Sequence, residues 1–129
     1  MKFYCYQNII PANTVMNTTI NSKAMQLLDS IIYGVQIVFT GTPTGNFTLQ
    51  ASCDPAAASV GTFQKTSVNN PVNWTTISGS SQAVSSAGSV LFSGSLTQWV
   101  GYNWVRVVYT DTSGGTSTAV ITVSTFNAK

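Results

Sequence analysis

The chain has 129 residues, of which 43% are hydrophobic and 11% are aromatic, so it can bury one sizeable core within a single domain. Only 6% of the residues are charged, against roughly 25% in an average soluble domain. The net charge of +2 comes from five cations placed singly along the chain, which excludes the clustered Lys and Arg of an electrostatic nucleic-acid interface. Such a composition is typical either of a neutral extracellular domain or of a protein whose surface is covered by neighbours in an assembly.

Residues 1–28 mix polar and apolar side chains without a sustained period, and Pro11 interrupts them, so we interpret them as an extended N-terminal arm. Within the arm, residues 22–29 fit either one helical turn or an extended sheet edge. An arm of this kind orders against its own domain or against a neighbouring subunit. The missing strand period favours the neighbour, and we therefore expect residues 29–129 to fold without the arm.

Residues 29–129 carry the signal of an all-β domain, beginning with two strands. The run 31–40 is rich in β-branched and aromatic residues, and it ends in a Gly and Pro turn cluster at residues 41–45. Residues 46–52 then alternate apolar and polar side chains, as a half-buried strand does. The two runs and the turn between them predict a hairpin.

Shorter strands and one strong strand follow. Three short strand-like segments are separated by Gly- and Ser-rich turns: residues 74–77, 82–84 and 89–92. Residues 102–110 are apolar on both faces and therefore predict a central strand. Residues 111–115, which end in two adjacent glycines, predict a hairpin turn into a last strand at residues 116–126. Seven or eight strands without a helix predict an antiparallel two-sheet β-sandwich, or jelly-roll-like fold, behind the N-terminal arm.

The residue types that most catalytic and metal sites use are scarce. The sequence has no His and no Glu, which removes imidazole bases and the commonest zinc ligand. Asp29, Asp54 and Asp111 each stand at a strand end or turn, where a carboxylate accepts local backbone hydrogen bonds. Cys5 and Cys53 have no metal-binding spacing; they fit a disulfide or two thiols, and thiols are favoured. We predict no enzymatic activity, no cofactor and no metal site.

One set of aromatic and basic residues is a candidate ligand or interface site: Trp74, Trp99, Tyr102, Trp104 and Arg106. If the rings are exposed, they would stack on sugars as carbohydrate-binding modules do. If they are buried, Trp104 and Tyr109 would anchor opposite sides of a central strand, with hydrogen-bond partners for their N–H and O–H groups. We favour burial. Arg106 would then be a partnered charge at a sheet edge or interface, with its stem packed on Trp104.

Four segments, residues 35–41, 45–55, 74–80 and 102–110, together form a pattern of strands and turns. The pattern, which spans roughly residues 31–129, resembles that of small bacteriophage structural proteins. The resemblance implies a β-sandwich subunit of a phage particle: a capsid decoration or cement protein, a minor capsid protein, or a fibre or spike module.

The leading hypothesis is therefore a virion structural protein that stabilises the particle through arm and sheet contacts. We expect its partners to be other capsid subunits and copies of itself, without direct contact to nucleic acid. Residues 1–8 lack the apolar run of a secretion signal, and no segment predicts a membrane span, which fits assembly in the cytoplasm of a lysing host. The alternative is a carbohydrate- or receptor-binding module of a phage fibre or spike, which accounts for the aromatic residues but not for the arm.

Overall fold

The structure is a computed structural model of the chain, and it describes residues 4–27, 32–54, 71–95 and 102–128. These residues form eleven β-strands and no helix, which confirms the predicted all-β class. The described ranges accordingly contain no helix that could cross a membrane. The strands in chain order are β1 (Tyr4–Gln7), β2 (Thr14–Val15), β3 (Ile20–Asn21), β4 (Met25–Gln26), β5 (Ile32–Thr40), β6 (Gly45–Ser52), β7 (Thr75–Thr76), β8 (Gln82–Val84), β9 (Gly88–Ser95), β10 (Trp104–Asp111) and β11 (Val120–Ala128).

The strands form two antiparallel sheets that pack against each other as a β-sandwich, as the sequence predicts. The first sheet has the order β1-β11-β5-β9, with β2 also paired to β11. The second sheet has the order β3-β10-β6-β7, with β4 also paired to β10 and β8 to β6. Because β10 has β6 on one side and β3 and β4 on the other, the predicted central position of this strand is confirmed.

Alternate residues of the long strands build the core between the sheets. In β5, Val35, Ile37 and Phe39 are buried, whereas the residues between them face outward, as a period of two requires. Phe39 of the first sheet stacks on Phe47 of the second at 5.9 Å between ring centroids, and Phe47 contacts Tyr109 at 5.0 Å. These aromatic contacts join the two sheets across the middle of the sandwich.

Both predicted hairpins are wrong, because the strands that they would join belong to different sheets. β5 pairs with β11 and β9, whereas β6 pairs with β10, so residues 41–44 carry the chain from one sheet to the other. Residues 112–119 make the return crossing from β10 to β11. Gly41 has a φ of 85°, and Gly114 and Gly115 have φ values of 69° and 87°. Glycines of positive φ occur both in hairpin turns and in turns that lead from one sheet to the other. Their presence therefore does not distinguish a hairpin from a sheet crossing.

Residues 4–27, which we expected to order on a neighbour, pair with both sheets of the domain itself. β1 and β2 pair with β11 of the first sheet, whereas β3 and β4 pair with β10 of the second. Five apolar side chains of this segment are buried in the core: Ile9, Ile10, Met16, Met25 and Leu27. The segment thus bridges the two sheets, and its strands of two to four residues are too short to show a period in the sequence. Met25–Gln26 forms an extended sheet edge, which decides against the helical turn.

Two buried serines hold this segment where its regular pairing is interrupted. The Ser124 hydroxyl donates to the carbonyl of Ile10 at 2.7 Å and accepts from the Ile10 N–H at 2.9 Å. The Ser22 hydroxyl accepts from the Val107 N–H at 2.8 Å and donates to the carbonyl of Lys23 at 2.9 Å. The serines thereby satisfy backbone groups that would otherwise be buried without partners.

Candidate functional site

Three of the five predicted site residues meet in one groove, with a volume of about 620 Å³. We call it the aromatic groove and define it by Lys23, Gln26, Pro71, Trp74, Trp104 and Arg106. Tyr6 and Gln7 of β1 also line it. The N-terminal segment and the second sheet therefore build the groove together.

Strand alternation explains why Trp104 and Arg106 face this groove. Val105 and Val107 of β10 belong to the core, so the residues that alternate with them lie on the outer face of the second sheet. The register then places Gln26 of β4 beside Trp104. Trp74 precedes β7, which pairs with β6 next to β10, and this brings its ring over Arg106.

Arg106 is held by an amide and an aromatic ring. Its Nε donates to Gln50 Oε1 at 2.8 Å, and its guanidinium carbon lies 4.4 Å from the centroid of the Trp74 ring. The indole N–H of Trp74 donates to the carbonyl of Pro71 at 3.0 Å, which fixes the ring. Within the described ranges, no carboxylate pairs with Arg106, and burial lowers the pKa of its guanidinium.

We expected Arg106 to be a partnered charge at a sheet edge or an interface. It lies on a central strand and not at a sheet edge, and its partners in the described ranges are Gln50 and Trp74. A place at an interface stays a prediction. We also expected the aliphatic stem of Arg106 to pack on Trp104. Both residues line the groove. The guanidinium is thus a partly buried cation without a counter-charge among the residues described.

Trp104 is buried beneath the groove, with 3% of its surface exposed, and its indole N–H donates to the carbonyl of Asp54 at 3.1 Å. Tyr109, fully buried on the other side of β10, belongs to the core. The predicted burial of two aromatics on opposite faces of β10 is confirmed. The predicted hydrogen-bond partner is found for the Trp104 N–H, but the Tyr109 hydroxyl has none among the described residues. Tyr102 is half-buried and packs against the core, away from the groove lining. Trp99 lies outside the described residues.

Asp54 holds the chain that carries Trp74. Its carboxylate accepts from the Val72 N–H at 2.7 Å and from the N–H and side-chain amide of Asn73, both at 2.9 Å. These hydrogen bonds, the backbone N–H of Asn73 foremost, keep the pKa of Asp54 below its ordinary value. The prediction for Asp54 was local backbone hydrogen bonds, but these partners lie 18 and 19 residues further along the chain, so the observed role is a long-range one.

Asp111 has the local turn role that the sequence predicts. The Asp111 carboxylate accepts from the hydroxyl and N–H of Ser113 and from the N–H of Gly115, and the Ser113 hydroxyl is the main reason why the pKa of Asp111 is lowered. Asp29 lies outside the described residues. Cys5 and Cys53 are both free and exposed, as favoured from the sequence.

The sequence did not point to Lys23, Gln26 or Gln50 as site residues. Lys23 and Gln26 lie in the segment interpreted as an arm, and only the pairing of β4 with β10 brings them to the groove. Gln50 is the cross-strand partner of Arg106, and its outward position follows from the alternation of β6. The alternation was visible in the sequence, but the pairing of β6 with β10 was not.

A second surface is the outer face of the first sheet. We call it the uncharged face, and it is formed by Ile32, Gln36, Val38, Leu91, Val123 and Thr125. None of the five strands of this sheet contains a charged residue. Leu91 is 63% exposed, and Ile32 and Val123 are each 46% exposed. The face thus combines exposed aliphatic side chains with neutral polar ones.

β9 forms one edge of the first sheet. Its only strand partner in the described ranges is β5, and its eight residues include no charge and no proline. Edge strands usually carry charges, prolines or bulges that prevent pairing with another chain. β9 lacks the first two of these protections.

We compared the chain with protein-family models, with curated proteins and with solved structures, and none of the three comparisons found a match. The fold and the two surfaces define a β-sandwich protein with one basic aromatic groove and one uncharged sheet face. Its function is therefore inferred from the chemistry of these surfaces and from its sequence pattern.

Proposed function

We propose that the protein is a non-enzymatic structural subunit of a virion, as a capsid decoration or cement protein or a minor capsid protein. It associates with copies of itself and with other capsid subunits, and it assembles in the cytoplasm of the host. The uncharged face is the observation that carries this proposal. The strand and turn pattern of residues 31–129 supports a phage particle as the assembly.

The uncharged face is suited to burial against a neighbour. Burying a charged side chain carries a large desolvation cost unless it is paired, and this face has no charge to desolvate. Its exposed aliphatic side chains, Leu91 foremost, gain free energy when water leaves them. A sheet face of this composition favours association more than it favours a permanent contact with water.

The β9 edge supports self-association in particular. Antiparallel pairing of β9 with β9 of a second copy would extend the first sheet across both subunits, since no charge on either strand opposes it. One backbone acceptor of the strand, the Leu91 carbonyl, accepts a hydrogen bond from the Gln82 side-chain amide at 3.1 Å. The Gln82 side chain is flexible, so a backbone N–H of a second copy, which is a stronger donor, can replace it as the partner of this carbonyl.

Leu91→Lys tests the proposal, because it places one charge in the middle of the face and on its edge strand. We expect the variant to stay folded, to lose self-association in sedimentation analysis and to be missing from purified particles. Val72→Lys is the matched control, since Val72 is 81% exposed and lies outside the uncharged face. A copy-number inventory of the particles by mass spectrometry completes the test. A parent protein that is monomeric and absent from the particles contradicts the proposal.

A second candidate function is carbohydrate or receptor binding in a fibre or spike, and the aromatic groove favours it. The platform of exposed tryptophans considered from the sequence does not include Trp104, because that ring is buried. Trp74 is half-buried against Arg106, and Lys23 lines the same groove. This arrangement suits a narrower class of ligand.

A further inference from the structure

We infer that the aromatic groove binds a carboxylated sugar, such as a uronate unit of an acidic polysaccharide. The inference rests on the second candidate function and specifies its ligand. It does not depend on the role of the uncharged face.

The charge of the groove indicates an anionic ligand. The chain has only five cations and three acids, yet Lys23 and Arg106 both line this groove, and none of the described residues that line it is an acid. The nearby Asp54 carboxylate accepts three hydrogen bonds from Val72 and Asn73, so its oxygens are already engaged. Among the described lining residues, an anion that enters the groove therefore meets two positive charges and no negative one.

Arg106 is oriented in advance for a carboxylate. The Nε–H of Arg106 donates to the Gln50 side chain, and the Trp74 ring stacks on the guanidinium. The guanidinium therefore has a fixed position. Its two Nη nitrogens have no acceptor among the described residues, although they carry four of the five N–H donors. A carboxylate that binds two of these donors supplies both the missing acceptors and the missing counter-charge.

The other groove residues favour a sugar over a small inorganic anion. The volume of about 620 Å³ lies in the range of pockets that hold a small organic molecule, and it far exceeds that of a single phosphate. The Trp74 ring offers an apolar surface to sugar C–H groups, and the Gln26 amide can bind a hydroxyl. Tyr6 and Gln7 also line the groove, and its volume leaves room for a neighbouring sugar unit of the same polysaccharide.

The test uses a tetramer of galacturonate and its fully methyl-esterified form, measured by calorimetry with the whole chain. The ester keeps the shape of the sugar but removes its charge. We expect the acid to bind at least roughly tenfold more tightly than the ester, as for the loss of a charge-assisted hydrogen bond. The affinity for the acid should fall as salt is added, because the interaction is ionic.

Two variants locate the binding in the groove. Arg106→Gln and Lys23→Gln should each weaken binding of the acid, Arg106→Gln by at least roughly tenfold. Lys23 is exposed, so its variant stays folded even if Arg106→Gln disturbs the sheet. Gln36→Ala is the control, since Gln36 lies on the uncharged face and is not one of the groove-lining residues.

Each other outcome overturns the inference in a distinguishable way. Equal binding of acid and ester refutes the carboxylate, but it leaves carbohydrate binding standing. Equal binding of an oligoaspartate peptide shows a general anion site and not a sugar site. Binding of neither tetramer contradicts the inference, and a blank result with neutral glycans as well contradicts the second candidate function.

Discussion

Ile10→Ala tests whether the N-terminal segment belongs to the fold of the isolated subunit. The Ile10 side chain is 1% exposed, and Ser124 holds its backbone N–H and carbonyl. The substitution deletes three buried carbon groups at about 0.8 kcal/mol each, which gives roughly 2.4 kcal/mol before any cavity is counted. With the cavity, we expect the free energy of unfolding to fall by about 2–5 kcal/mol. This is a large part of the roughly 5–15 kcal/mol that stabilises an ordinary domain.

Urea unfolding followed by tryptophan fluorescence measures this loss, at a protein concentration where the chain is monomeric. With a slope of about 1–3 kcal/mol per molar urea, the midpoint should fall by roughly 1 M or more while the slope stays unchanged. Val15→Ala is the control, because Val15 lies in the same segment but is 42% exposed, and we expect it to cost less than about 1 kcal/mol. If both variants unfold at the midpoint of the parent, the segment is not packed on its own domain and the reasoning fails.

Two further predictions concern the crossing between β5 and β6 and the core beside it. A Cβ added at Gly45 would clash with the carbonyl oxygen of Thr110 and would lie 2.7 Å from the Tyr109 hydroxyl oxygen. Gly45→Ala should therefore destabilise the folded protein by about 1–3 kcal/mol in thermal melts. Gly88→Ala, which meets nothing within 4 Å, is its control, and equal melting temperatures would contradict the clash. The buried Tyr109 hydroxyl has no hydrogen-bond partner among the described residues. Tyr109→Phe should therefore leave stability unchanged or raise the melting temperature by a few degrees, and a clear fall would show that the hydroxyl has a partner.

Three of the long strands were predictable from the sequence, because a run of eight or nine residues is long enough to show its pattern of apolar side chains. β5, β6 and β10 lie within one or two residues of their predicted bounds, and the central position of β10 followed from its two apolar faces. The assignment of strands to sheets was not predictable in the same way. Gly41 and Gly115 mark sharp turns, but whether the next strand pairs or crosses depends on contacts distant in sequence.

The candidate site was predictable in part for the same reason. Trp104 and Arg106 share a strand face, and their common position is a property of one strand. Lys23 reaches the groove only because β3 and β4 pair with a strand about 80 residues later, which no local pattern reveals. Local sequence patterns thus predict which residues share a face of one strand. They do not predict which residues from different strands line the same groove.

The pairing of β1 with β11 places Tyr4 opposite Ala128, so the first and last of the described strands are neighbours. On the ribosome, β1 is made long before its partner β11 emerges. Closure of the first sheet therefore has to wait for β11, and the large sequence separation of this contact slows folding. Until that moment β1 and the Ile9–Ile10 pair lack their final partners, which makes the nascent chain the stage most exposed to pairing with the wrong strand.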